Sequence, residues 1–152
     1  MLVYDCFNGQ MLGKSTPMPL LQLTYASRPF GYDMAVLRGI LMDARRCNAR
    51  DGVTGALICR DDLFLQMLEG PEAAVEATYG RIIRDDRHLE VRPLTRRVIP
   101  DDGRLFGAWA MRDDPAQNWV WSRDQVHDGA PERASADEVL AIFARLAAGP
   151  AA

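Results

Sequence analysis

The sequence predicts an α+β domain, a single five-stranded sheet with two helices on one face and a helical tail on the other. Three observations carry this. The adjoining segments Val53–Cys59 and Leu63–Glu69 are apolar on both faces, and Asp61-Asp62 joins them tightly, as in a hairpin at the centre of a covered sheet. Each is flanked by a stretch of helical period, with Met34, Leu37, Ile40, Leu41 and Ala44 before and Val75, Tyr79 and Ile82 after. A third amphipathic stretch, Val139, Ile142, Phe143 and Leu146, follows the last strand and can cover the face that would otherwise lie open.

Taken in order, residues 1–19 show no sustained period and contain Gly9, Gly13, Pro17 and Pro19, which reads as a loosely ordered extension. Leu21, Leu23 and Tyr25 alternate with Gln22 and Thr24 in the period of a half-buried strand, broken by Pro29, Phe30 and Gly31. Asp33 is placed to cap the first helix and Gly52 to end it. Gly70-Pro71-Glu72 opens the second helix, with Pro at the first helical position where its missing N–H costs nothing. Arg81, Asp85 and His88 follow at i, i+4 and i+7 beside its apolar stripe. Val91–Ile99 and Leu105–Met111 are the last two strands, around an Asp101-Asp102-Gly103 turn, with Leu105, Gly107, Trp109 and Met111 on one face. After the less regular Trp119–Trp121 segment, Ser135 and Glu138 form a capping box for the tail helix, and Gly149-Pro150 stops it. The order β-α-β-β-α-β-β is a ferredoxin-like arrangement with one extra strand. Residues 20–113 form the domain proper and 114–152 a C-terminal cap.

At 152 residues the chain can bury a core without disulfide or metal support. A net charge of −3 and a pI near 5.3 exert no general pull toward nucleic acid or anionic membrane. The odd set Cys6, Cys47 and Cys59 lacks any C-x-x-C spacing and fits reduced thiols of a cytoplasmic protein. With His only at 88 and 127, no cluster has metal-ligand spacing. The paired aspartates fall in turns and helix ends, where Asp bonds its own backbone. No phosphate-binding glycine loop is present.

Two carboxamides stand where hydrocarbon is expected. Asn48 extends the apolar stripe of the first helix, two turns beyond Leu41, and Gln66 sits at the centre of an otherwise apolar strand. A buried amide left unpaired costs about 1–3 kcal/mol, so each requires a partner in the protein or in a bound molecule. Taken singly, Asn48 reads as a helix-end residue bonded to backbone and Gln66 as a cross-sheet amide. Tyr25 and the pair Trp109 and Met111 read as core, Arg81 with Asp85 as a surface ion pair, and His88 as solvated. Together, Tyr25, Gln66 and Asn48 can meet between the two helices.

Read in order, the motifs resemble the BLUF domain, the family that senses blue light with a flavin. They are Leu23-Thr24-Tyr25-Ala26-Ser27, Ala44-Arg45-Arg46-Cys47-Asn48-Ala49-Arg50 with Gly52-Val53-Thr54-Gly55, Phe64-Leu65-Gln66-Met67-Leu68-Glu69-Gly70-Pro71, Arg84-Asp85-Asp86-Arg87-His88, and Trp109-Ala110-Met111. The resemblance implies FAD, or FMN, with its ring between the helices and flanked by Ile40 and Ile82. Asn48 is implied to bond the ring's carbonyl edge, and Gln66 to bridge Tyr25 to the ring. Arg81, Asp85 and His88 are implied to lie near the cofactor. Trp109 and Met111 would sense a rearranged Gln66. The chain departs from the family at Cys47, where Asn or His is usual, and a thiol is a weak hydrogen-bond partner.

The implied protein is a photoreceptor rather than an enzyme. It signals to a separate partner protein, with the tail as output or homo-oligomer surface. Two other classes are a ferredoxin-like enzyme using flavin for dark redox chemistry and a cofactor-free interaction module with satisfied core amides.

Overall fold

The computed structural model describes residues 2–4, 11–14, 19–31, 33–113 and 121–149; Cys6 and Trp119 lie outside them. Seven strands and five helices follow one another as β1 (Leu2–Tyr4), β2 (Met11–Lys14), β3 (Leu20–Pro29), α1 (Met34–Asp51), β4 (Thr54–Arg60), β5 (Leu63–Pro71), α2 (Glu72–Ile83), β6 (His88–Ile99), β7 (Trp109–Asp113), α3 (Arg123–His127), α4 (Ala130–Arg133) and α5 (Ala136–Ala148). The pair β1 and β2 forms a small antiparallel ladder within the N-terminal extension, which no hydrophobic period announces.

The main sheet has the order β6-β3-β5-β4-β7. Its first four strands pair antiparallel in the ferredoxin-like pattern, and β7 adds parallel to β4 at the edge. Register sets the site. Tyr25 on β3 lies opposite Gln66 on β5, and Gln66 opposite Leu57 on β4. Leu57 in turn faces Met111 on β7. Because side chains alternate along a strand, these four share one face.

That face carries α1 and α2. Leu37 and Ile40 of α1 pack on Leu57, Cys59 and Phe64. Val75, Tyr79 and Ile82 of α2 pack with Leu21, Leu23, Tyr25 and Leu68. The opposite face presents Ala26, Ala56, Ile58, Leu63, Leu65 and Met67 to Val126 of α3 and to Val139, Ile142 and Phe143 of α5. The central strands β4 and β5 are accordingly buried along nearly their whole length.

The helix ends follow from local chemistry. The Asp33 carboxylate accepts the Val36 N–H at 2.8 Å. Gly52 closes α1 in the left-handed region at φ 71°, which only glycine adopts without penalty. Asp33→Ala is expected to cost about 1 kcal/mol, read as a lower urea midpoint at unchanged slope.

Four readings of the sequence need correction. Pro71 is the cap residue before α2 rather than its first helical residue. The last strand begins at Trp109, and Leu105 packs on the tail side of the sheet, so Leu105 and Gly107 do not share a strand face with Trp109 and Met111. The helix α2 ends at Ile83, so Asp85 and His88 do not continue its face. The short helices α3 and α4 occupy a stretch with no predicted element, although a capping box between Ser122 and Gln125 marks the start of α3.

Candidate functional site

A cavity of about 290 Å³ opens between α1 and α2 above the sheet. Its size is at the lower end of small-molecule sites and suits a flat ring system rather than a whole dinucleotide. Ile40, Ala44, Cys47 and Asn48 line it from α1, and Thr78, Arg81 and Ile82 from α2. Gln66 and Trp109 contribute from the sheet, Asp85 and Arg87 from the chain between α2 and β6, and His88 from the first position of β6. Of the residues singled out by sequence, Ile40, Asn48, Gln66, Arg81, Ile82, Asp85, His88 and Trp109 therefore meet at one cavity. Tyr25 and Met111 do not line it. Tyr25 is fully buried behind Gln66, and Met111 packs among Leu37, Ile40 and Phe64.

Gln66 is the hub. Its Nε2 donates to the Tyr25 hydroxyl, and its Oε1 accepts the Trp109 indole N–H at 2.8 Å. One N–H and one lone pair of the amide remain beside the cavity. Burial pushes the Tyr25 hydroxyl well above the ordinary phenol range, although the bond from Gln66 works the other way. Tyr25 is therefore the neutral phenol around neutral pH. Its ring lies 5.6 Å from that of Tyr79 and 6.0 Å from that of His88.

Asn48 is 3% exposed, and its carboxamide has no hydrogen-bond partner among the described residues. Its backbone carbonyl is the group that closes the helix, accepting from Gly52 and from Val53 at 2.9 Å. The side chain is thus not the bonded helix-end amide that Asn48 alone would suggest. It is a buried polar group waiting for a partner, which is what a ligand with carbonyl and ring N–H edges provides.

His88 is buried rather than solvated, with Nδ1 at 2.9 Å from the Ser27 hydroxyl and its ring 4.8 Å from Phe64. Desolvation lowers its pKa to about 4. The native state therefore resists protonation, so this contribution is complete above the ordinary pKa of 6.5 and disappears as pH falls toward 4. About 3 kcal/mol lies in that window. Denaturation at pH 7 and pH 4 should show wild type losing about that much more than His88→Gln; equal losses would contradict it.

Arg81 and Asp85 do not pair with each other. Arg81 reaches Thr78 at 3.1 Å and Asp51 at 3.5 Å. Asp85 accepts from Arg87, through the backbone N–H and Nε, both at 2.9 Å. The hydrogen bonds from Arg87 hold the Asp85 carboxyl below the usual carboxylate range. Arg87 also donates to Asp43 of α1 at 3.0 Å, tying the far wall of the cavity to the helix. Sequence reasoning passed over Arg87. It stands inside the run Arg84–His88, but only the approach of Asp43, 44 residues away, shows what it does.

A family model described as BLUF, sensors of blue light using FAD, matches residues 20–112. The photoactivated adenylate cyclase subunit beta of Euglena gracilis is 38% identical over 101 residues, which is 63% of this chain and 12% of that protein. The blue light- and temperature-regulated antirepressor BluF of Escherichia coli is 38% identical over 68 residues, 45% of this chain and 16% of that one. The chain thus spans only about an eighth of the length of the cyclase subunits it matches. Among solved structures, BlsA in its ground state superposes with a TM-score of 0.70 at 25% identity, covering 88% of this chain and 91% of that one. BlrB, a BLUF protein in its dark state, superposes at 0.62 and 30% identity, covering 89% and 100%.

Proposed function

The chain belongs to the BLUF family of blue-light sensors, and from that premise we propose that it is a flavin photoreceptor whose switch is the chain Tyr25–Gln66–Trp109 and whose output reaches a separate partner protein. The observation that carries the reading is the bonding of Gln66. One amide joins a buried phenol to an indole at a cavity that also holds the unpartnered Asn48. The donor set fits a flavin ring, with Asn48 for its carbonyl edge and Ile40 and Ile82 for its faces. Arg81, Asp85 and His88 stand around its rim. FAD is the form named in the description of the family.

When bound, the flavin supplies a blue-absorbing ring that becomes a strong oxidant on excitation. Tyr25, protonated and held against Gln66, is the side chain able to release an electron together with its hydroxyl proton. Gln66 can exchange its donor and acceptor ends by rotating or tautomerising. Rotation puts an NH₂ group opposite the Trp109 N–H, donor against donor, and tautomerisation turns the accepting carbonyl into a hydroxyl; either way the bond that holds the indole is weakened. A net hydrogen-bond difference of about 1 kcal/mol is small enough for the new state to relax thermally. Residues 114–152 are the output or self-association segment, within which α3 and α5 cover the far face, and residues 20–113 the sensor module.

The test is the visible spectrum of the purified protein before and after a blue pulse. A flavin spectrum shifting reversibly to the red supports the switch. Flavin without the shift would favour dark redox chemistry, and no flavin despite added FAD would leave an interaction module.

A further inference from the structure

On the face of the sheet away from the cavity, Glu69 of β5 is fully buried, yet no cation touches its carboxylate among the described residues. Donors surround it instead. Oε1 accepts the Phe106 N–H at 2.8 Å and the Thr54 hydroxyl at 3.3 Å. Oε2 accepts the Leu105 N–H at 3.0 Å and Gln22 Nε2 at 3.0 Å, while Arg97 holds the other end of Gln22 at 2.7 Å. The same residue's backbone carbonyl accepts from Arg104 at 3.1 Å, and Arg104 also reaches Thr54 at 2.9 Å and Gly52 at 3.0 Å.

A buried carboxylate is costly unless donors compensate it, so the groups that bond Glu69 are held firmly in place, and two of them belong to the chain that leads into β7. Two of its bonds go to consecutive backbone N–H groups of residues 105 and 106, which have no ladder of their own. Three residues later the chain enters β7, a five-residue edge strand paired on one side only. Its register, Gly55 opposite Trp109, is what delivers the indole to Gln66. A slip of one residue would turn Trp109 to the tail face and bring Ala110 to the cavity side.

We infer that Glu69 is a positioning residue for the switch: by clamping residues 104–106 it fixes the register of β7 and holds the Trp109 indole on Gln66 Oε1. The light-dependent part of this inference rests on the photoreceptor reading; the placement of the indole does not. Loosening the clamp weakens the arrangement in which Gln66 presents its oxygen to Trp109. The dark state loses stability relative to the switched one.

The test is Glu69→Gln in the full chain. The added NH₂ must face the N–H of Leu105 or of Phe106, whichever way the amide turns. Two measurements are made on the purified protein. Hydrogen exchange of the Trp109 indole N–H in the dark should accelerate about tenfold, and thermal recovery after a blue pulse should slow about fivefold, roughly the loss of one net hydrogen bond. In a Trp109→Phe background, Glu69→Gln should leave recovery unchanged, because the effect passes through the indole. Unchanged indole exchange, or a recovery effect that persists without Trp109, overturns the inference. Wild-type protein with no photoproduct would instead overturn the photoreceptor reading, leaving indole exchange to decide the role of Glu69. If Glu69→Gln does not fold, Thr54→Val replaces it with the same outcomes, since it removes a hydroxyl that both Glu69 and Arg104 use.

Discussion

Tyr25→Phe should leave the flavin bound and the dark spectrum nearly intact while reducing the red-shifted product to background. The hydroxyl is fully buried, lies behind Gln66 rather than in the cavity, and has the amide as its partner. Removing one oxygen leaves ring packing against Tyr79 in place and takes nothing from the cavity walls. The cost to the fold is one hydrogen bond and an unused Gln66 N–H, about 1–3 kcal/mol, within the stability of an ordinary domain. The cost to the switch is complete, because phenylalanine has no hydroxyl proton to give. Since burial keeps Tyr25 protonated far above neutrality, the wild-type photoproduct yield should be flat between pH 6 and 9. Absorbance before and after a blue pulse, at matched flavin content, checks both statements. A normal photoproduct in Tyr25→Phe would remove tyrosine from the mechanism.

What could be read in the sequence divides by the range of the interactions involved. Gln66 was legible because a lone amide in a strand apolar on both faces is a local anomaly, and Asn48 because it interrupts a local stripe. The caps Asp33 and Gly52 were legible for the same reason. The start of β7 was not. Leu105, Gly107, Trp109 and Met111 alternate as a strand does, but Glu69, 36 and 37 residues earlier in the chain, captures the backbone at 105 and 106 and keeps it irregular. The spacing of Arg81, Asp85 and His88 imitates a helix face. The chain instead turns at Ile82–Asp85, and Arg87 is drawn to Asp43. His88 looked solvated because its cover, Phe64 and Ser27, comes from β5 and β3. The helix α3 has a legible cap but only five residues, too few to show a period.

Phe143→Ala should destabilise the whole domain by about 3–5 kcal/mol while sparing flavin affinity in the folded state. Phe143 is fully buried on the tail side, with Val139 and Ile142 beside it, against Ala26, Ile58, Leu63, Leu65 and Met67. Truncating it leaves a cavity that the rigid sheet cannot fill by collapsing, and the loss is a large part of a typical total stability. The cavity between α1 and α2 lies on the other face, so its walls should not feel the change directly. Urea denaturation followed by flavin fluorescence and by far-UV circular dichroism should show coincident transitions, shifted to lower denaturant with an unchanged slope. A loss below about 1 kcal/mol, or a flavin transition that does not move with the rest, would show that α5 is not part of the cooperative unit. The distinction matters for signalling. Leu65 and Met67, the neighbours of Gln66 along β5, point into the cluster that α5 covers, so one strand carries the proposed switch residue on one face and a tail contact on the other. A tail packed as tightly as Phe143 implies cannot absorb a displacement of β5 or β7 by local yielding, and must move as a body or resist it.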